Sequence, residues 1–116
     1  YRCIIPADGY YEWQQTDQGK QPFFIKRSDG KQLYFGGLHQ KNKEHEFTIL
    51  TQESEGDLKS IHHRMPLMLD ESQFNHFFDY ERNVGNISRE QSIDLSFSRV
   101  SKQVNSPKNN TVELIK

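Results

Sequence analysis

Apolar residues are scarce in this chain. Only 33% of its 116 residues are hydrophobic, and seven glycines do not lift it to the usual apolar fraction of roughly 45–50%. A core drawn from so few side chains is small, or is completed by something outside the sequence. Long apolar runs are missing too: none approaches the ~18 residues of a membrane-crossing helix, and no signal-peptide pattern is present. A single cysteine excludes an internal disulfide and suits a reducing compartment, with the cytoplasm as the expected location. Neither a CxxC nor an HxxxH pair accompanies it or the five histidines, so the spacing gives no metal site. The formal charge of −1 excludes a globally basic nucleic-acid binder, while leaving room for a local basic groove.

What is present is organised around Pro6-Ala7-Asp8-Gly9-Tyr10-Tyr11-Glu12-Trp13. Pro6 fixes φ, Asp8 can bond its own backbone, and Gly9 accepts a positive φ, so the stretch opens as a turn. An aromatic run follows, which favours a strand. Alternation then puts Tyr10 and Glu12 on one face, with Tyr11 and Trp13 on the other. A glutamate among aromatics can have its pKa raised towards neutrality, which suits proton transfer. Taken alone, the stretch also fits an edge strand with Glu12 in solvent.

The chain reads as strands at Tyr1–Pro6, Tyr10–Gln15, Pro22–Lys26, Leu33–Leu38, Phe47–Thr51, Leu67–Leu69 and Leu95–Val100. Composition places a hairpin turn at Ser28–Lys31 and a charged loop at Lys41–His45. Gly36-Gly37 suggests close approach by another backbone or a ligand. Gln52–Ile61 reads as a short helix or a turn-rich link. Asp70 can cap a helix over Glu71–Phe78, with Phe74, Phe77 and Phe78 at helical spacing. Residues 80–91 have no pattern. Ser101–Asn105 reads as extended, Asn109-Asn110 as a turn and Thr111–Ile115 as a closing extended segment. The expected class is α+β and mostly β: short antiparallel strands in a barrel-like sheet with one or two short helices. Residues 1–116 make one domain at most. Because Tyr1–Ile5 already reads as strand without a leading turn, we expect that domain to be incomplete at its amino end.

The second anchor is Ile61-His62-His63-Arg64-Met65-Pro66-Leu67. Histidine titrates near neutrality, which makes His62 a natural proton shuttle; it also fits a purely structural role. The blocks RCIIPADGYYEW, FGGL, FTILTQES, IHHRMPLML and VSKQVNSPKNN, in that order from Arg2 to Asn110, resemble the SRAP family, the SOS-response-associated peptidases or abasic-site processing proteins. The resemblance takes in the later part of a family member. It implies His62 and Glu12 as catalytic residues, His63 as a variable position, and Trp13, Arg64 and Thr51 as DNA contacts. Arg64 would hold phosphate and Trp13 would stack at the lesion; an ion pair and a core position are their structural alternatives. His39 stands where relatives commonly carry tryptophan, which puts one wall of the site in question.

In the family, an amino-terminal cysteine supplies both thiol and α-amine to form a thiazolidine with the ring-opened abasic sugar. The nitrogen of Cys3 is tied up in the peptide bond after Arg2, so Cys3 does not qualify and reads as a small strand thiol. The implied partner is single-stranded DNA carrying abasic sites, with nucleoid association, no cofactor, and autoproteolytic peptidase and lyase-type activity. The missing amino-terminal segment or a second chain would cover an unpaired edge or an exposed apolar patch. Two alternatives remain: a non-catalytic DNA-binding or interaction module, and a cysteine hydrolase using Cys3, His62 and Glu12, which lacks a local signature.

Overall fold

A computed structural model describes residues 1–41, 43–84 and 93–102. Its strands, in chain order, are β1 (Arg2–Ala7), β2 (Tyr10–Thr16), β3 (Gly19–Arg27), β4 (Leu33–Gln40), β5 (Lys43–Ile49), β6 (Thr51–Glu53), β7 (Arg64–Pro66) and β8 (Leu95–Arg99). A 3-10 turn spans Gly56–Ser60; another at Glu71–Gln73 runs straight into a short helix, α1 (Phe74–Phe78). The class is therefore α+β and mostly strand, as the alternation suggested. The expectations for the part of 80–91 beyond Val84, for 103–105, for Asn109-Asn110 and for Thr111–Ile115 lie outside the described residues.

The strands do not close into a barrel. They form three antiparallel ladders, β1–β4–β5, β2–β3–β8 and β6–β7. Ser28–Lys31 shows why. The chain does turn there, but β3 pairs with β2 and β8 while β4 pairs with β1 and β5, so the turn is a crossover between sheets and not a hairpin. Arg27 grips both carboxylate oxygens of Asp29, at 2.7 and 3.0 Å, and the Lys31 N–H donates to Asp29 Oδ1 at 3.0 Å. Those hydrogen bonds hold the Asp29 carboxyl below its ordinary range and raise the Arg27 guanidinium.

Other boundaries also move. The expected charged loop at Lys41–His45 is strand from Lys43 onward. The expected strand Phe47–Thr51 breaks at Leu50, whose N–H donates to Gly36 O at 2.9 Å and whose carbonyl accepts from Leu67 N–H at 2.8 Å. Leu67–Leu69 is buried as expected, yet the regular ladder lies one step earlier, at Arg64–Pro66, and Met68 makes only a bridge to Phe35. Asp70 does cap: its carboxylate accepts from Ser72 N–H, and Gln73 reaches back to Asp70 N–H. The first turn it caps is 3-10. Phe74 packs edge-on against Tyr34, and Phe77 is fully buried. Phe78, one position further round the helix, faces solvent.

One glycine reading changes and another gains its neighbours. Gly9 does not take a positive φ; it is needed for space, since a Cβ there would stand 2.5 Å from a Phe24 ring carbon and 2.6 Å from Ile25 O. Gly36-Gly37 is approached closely, as expected, and at Gly37 partly by another backbone. A Cβ on Gly36 would meet Leu67 at 2.8 Å and Phe77 at 3.0 Å, and one on Gly37 would meet Ile5 at 2.5 Å and the Thr48 carbonyl oxygen at 2.8 Å.

Strand β4 separates two small cores. Leu33 and Phe35 point into a cluster with Ile25, Leu58, Ile61, Met65 and Met68. Tyr34 and Gly36 point the other way, towards Leu67, Leu69 and Phe77. Each three-stranded sheet is open: β1, β5, β2 and β8 have one neighbour apiece among the described residues. Near one end of the first sheet Tyr1, Leu38 and Phe47 are exposed. No helix among the described residues is long and apolar enough to cross a membrane.

Candidate functional site

Strand β2 is an edge of its sheet, and a groove of about 1000 Å³ runs along it. One wall is β2 itself, through Glu12, Trp13, Gln14 and Gln15, with Lys20 from β3. The other is Lys59 and Ser60 of the 3-10 turn with the following Ile61, His62 and His63. Alternation sets Glu12 and Trp13 on opposite faces of β2. Only an edge strand lets both line one groove, because the groove wraps around the unpaired side.

The free edge is partly satisfied locally. The Trp13 N–H donates to Glu12 Oε1 at 3.1 Å, a charge-assisted bond that holds the carboxylate against the strand. Gln14 Nε2 donates to Ser60 O at 2.7 Å, tying the two walls together. On the outer face the Trp13 ring lies 6.3 Å from Tyr11, which in turn meets Phe24 edge-on at 5.3 Å. On the inner face Tyr10 packs edge-on against Phe35. Burial, and then the Glu12 charge, push the Tyr10 phenol well above its ordinary value. Its hydroxyl has no hydrogen-bond partner among the described residues.

His62 sits where the backbone doubles back. Its Nδ1 lies 3.2 Å from both the N–H and the carbonyl oxygen of Arg64. Bare, Nδ1 accepts from that N–H; protonated, it donates to that carbonyl. The ring is therefore supported in either protonation state, and Nε2 is not committed to another described residue. His63 stacks on it, with centroids 4.6 Å apart and planes at 29°.

Glu12, Trp13 and His62 thus share one groove. Arg64 and Thr51 are not on its walls. They form a pair of their own on β7 and β6, where one terminal nitrogen of Arg64 donates to Thr51 O at 2.9 Å and to Thr51 Oγ1 at 3.1 Å. Arg64 is exposed, and beyond these two bonds its guanidinium donors have no partner among the described residues. His39 forms no wall of the groove; its ring packs on Tyr1 at 5.6 Å. Cys3 lies on β1 opposite Gly37, in the other sheet, so the hydrolase reading lacks its geometry. Among the described residues no three His, Cys, Asp or Glu side chains come together to hold a metal ion.

Gln14, Lys20, Lys59 and Ser60 were missed from sequence. A two-residue turn at Asp17-Gln18 brings Lys20 opposite Gln15, and the polar turn composition was the available signal. Lys59 had none, because its place depends on how the 3-10 turn docks.

The sequence profile of the SRAP family, "SOS response associated peptidase", matches residues 1–107. The chain belongs to that family. It is 38% identical to the abasic site processing protein YoaM of Bacillus subtilis, across 98% of this chain and 56% of that protein. It is 34% identical to YoqW of the same organism over the same shares, and 31% identical to the chicken abasic site processing protein HMCES, of which it covers 43%. The chain spans about half the length of the curated relatives it matches. In shape it is similar to a Bacteroides thetaiotaomicron protein, with a TM-score of 0.74 over 99% of this chain and 56% of the other at 23% identity. A phage-related protein of Bordetella bronchiseptica superposes with a TM-score of 0.65 at 28% identity, over 87% of this chain and 54% of the other.

Proposed function

We propose that this chain supplies the DNA-holding and proton-moving groove of an abasic-site processing protein. The observation that carries the reading is the convergence of Glu12, Trp13 and His62 on the groove along β2. Single-stranded DNA lies in it, with Trp13 stacking on a base beside the lesion; such stacking needs no particular base. His62 takes up and returns a proton at Nε2 while Arg64 backbone groups support Nδ1. Glu12 is the second proton carrier. Arg64 and Thr51 take a phosphate where the strand leaves the groove. In the intact protein an amino-terminal cysteine would add its thiol and α-amine to the aldehyde of the ring-opened sugar, releasing water and closing a thiazolidine. Cys3 is not that residue.

The test uses the only tryptophan as reporter. Titrating the 116-residue chain with an oligonucleotide carrying a stable abasic analogue quenches Trp13 fluorescence. Trp13→Ala lowers affinity, read by anisotropy, by about 5- to 150-fold, the equivalent of one stacked base. The chain alone forms no adduct with an aldehydic abasic strand on a denaturing gel. Binding without a change at Trp13 would remove the groove from the account. An adduct lost on Cys3→Ser would overturn the assignment of Cys3.

A non-catalytic DNA-binding module is the second reading. It is favoured by one observation: Cys3, the one cysteine of the sequence, lies on β1 opposite Gly37 and not on the groove walls, so these residues place no thiol in the groove.

A further inference from the structure

The groove carries two cations that the catalytic reading does not use. Lys20 enters from β3 at the hairpin end of β2, opposite Gln15. Lys59 enters from the 3-10 turn on the facing wall, three residues before His62. Both side chains are exposed, and neither makes an ion pair among the described residues. Glu12 is the one carboxylate on the walls, and the Trp13 N–H already engages it. Two ammonium groups without an ion-pair partner among the described residues therefore line opposite walls of the groove that holds Glu12 and His62.

We infer that Lys20 and Lys59 are the phosphate anchors of the site, one on each wall, holding the strand on either side of the nucleotide that Trp13, Glu12 and His62 address. This rests on the DNA-binding reading above and adds positioning residues to it. An ammonium is a compact point charge with three rotatable donors, so it tracks a flexible single strand without demanding one phosphate geometry. Such contacts carry no sequence information; they fix register. Without them the abasic sugar would bind but slide relative to His62.

The signature is the salt dependence. Each phosphate neutralised on a single strand contributes about 0.7 to the slope of log affinity against log salt. Lys20→Gln and Lys59→Gln should each reduce that slope by about 0.7, and the double variant by about 1.4. At 0.1 M salt each single change then weakens binding by about fivefold relative to its effect at 1 M. The loss is the same for abasic and intact strands. Lys20→Arg and Lys59→Arg restore the slope, because charge alone is needed. Lys26→Gln, an exposed lysine on β3 outside the groove, leaves the slope unchanged.

Affinities of the 116-residue chain and these variants are measured by anisotropy at four or more salt concentrations, with circular dichroism confirming the fold. If the unmodified chain binds and quenches Trp13 while both lysine variants keep its slope, the phosphate anchors are wrong and the groove assignment stands. A wild-type chain that does not bind single-stranded DNA overturns both. Equal slope losses for Lys26→Gln would mean a diffuse charge effect and would also sink the inference.

Discussion

Two clefts flank the 3-10 turn Gly56–Ser60, and its residues divide between them. Lys59 and Ser60 face the groove along β2, whose walls are polar, aromatic and cationic. Asp57 and Leu58 face a smaller cleft of about 360 Å³. There the floor is Leu58, Met65 and Met68, all buried core residues, with Ile93, Leu95 and Phe97 beside them. Its rim holds Glu55, Asp57 and Asp94 and, among the described residues, no lysine or arginine. On the DNA-binding reading proposed above, a polyanion is repelled from the second cleft and admitted to the first. The difference teaches that the site is surface built on a core, while the neighbouring cleft is the core showing through. Damage to one should cost function; damage to the other should cost the fold.

The largest expected effect tests that division at the cleft floor. Met68→Ala removes a buried side chain from the larger core cluster and should destabilise the chain by about 2–5 kcal/mol, read from denaturant unfolding. The folded fraction should bind DNA as before. A loss of affinity exceeding the loss of folded protein would show that the two clefts are not independent. A smaller effect belongs to the groove. Gln14→Ala cuts a side-chain bond between its walls and should cost about 1 kcal/mol or less in stability, because the pair is exposed. Its effect on affinity should be the greater one, since the walls are then free to part.

Tyr10 belongs to both regions, packed into the core on β2 and lying under the Glu12 charge. Its phenol is raised, so the folded chain holds that proton when the unfolded chain, with a pKa near ~10, gives it up. The stability this contributes is complete below about pH 10 and is lost as pH climbs beyond it. Tyr10→Phe should flatten that alkaline decline. At neutral pH it should leave the midpoint unchanged or slightly raised, because the lost hydroxyl had no partner among the described residues. An unchanged alkaline limb would show that another group sets it.

Much of this was legible in the residues, and the failures have a common cause. Glu12 and Trp13 were readable as strand residues because aromatic content is a local property, and the chemistry of histidine alone makes His62 a candidate. That Glu12 and Trp13 serve one groove was not readable, since alternation alone separates them. The edge position of β2 reconciles them, and edge status is a property of pairing. The Ser28–Lys31 turn had the right chemistry but the wrong partner for the same reason: turn residues specify a reversal, not which sheet receives the chain. Gly36-Gly37 signalled close approach correctly, and only packing could say that Leu67, Phe77, Ile5 and the Thr48 carbonyl were the neighbours. The family resemblance implies Arg64 and Thr51 as DNA contacts, and nothing in the sequence shows that they hold each other.

The central claim is that the strand lies along β2 and avoids the acid-rimmed cleft. Backbone amide shifts of the labelled 116-residue chain, followed by NMR during titration with an abasic-analogue oligonucleotide, test it most directly. The account predicts shifts concentrated at Glu12–Gln15, Lys20 and Lys59–His63, with Glu55, Asp94 and Leu95 silent. Shifts centred on the acid-rimmed cleft, or on the exposed Tyr1 and Phe47 face, with Glu12–Gln15 unmoved, would contradict it.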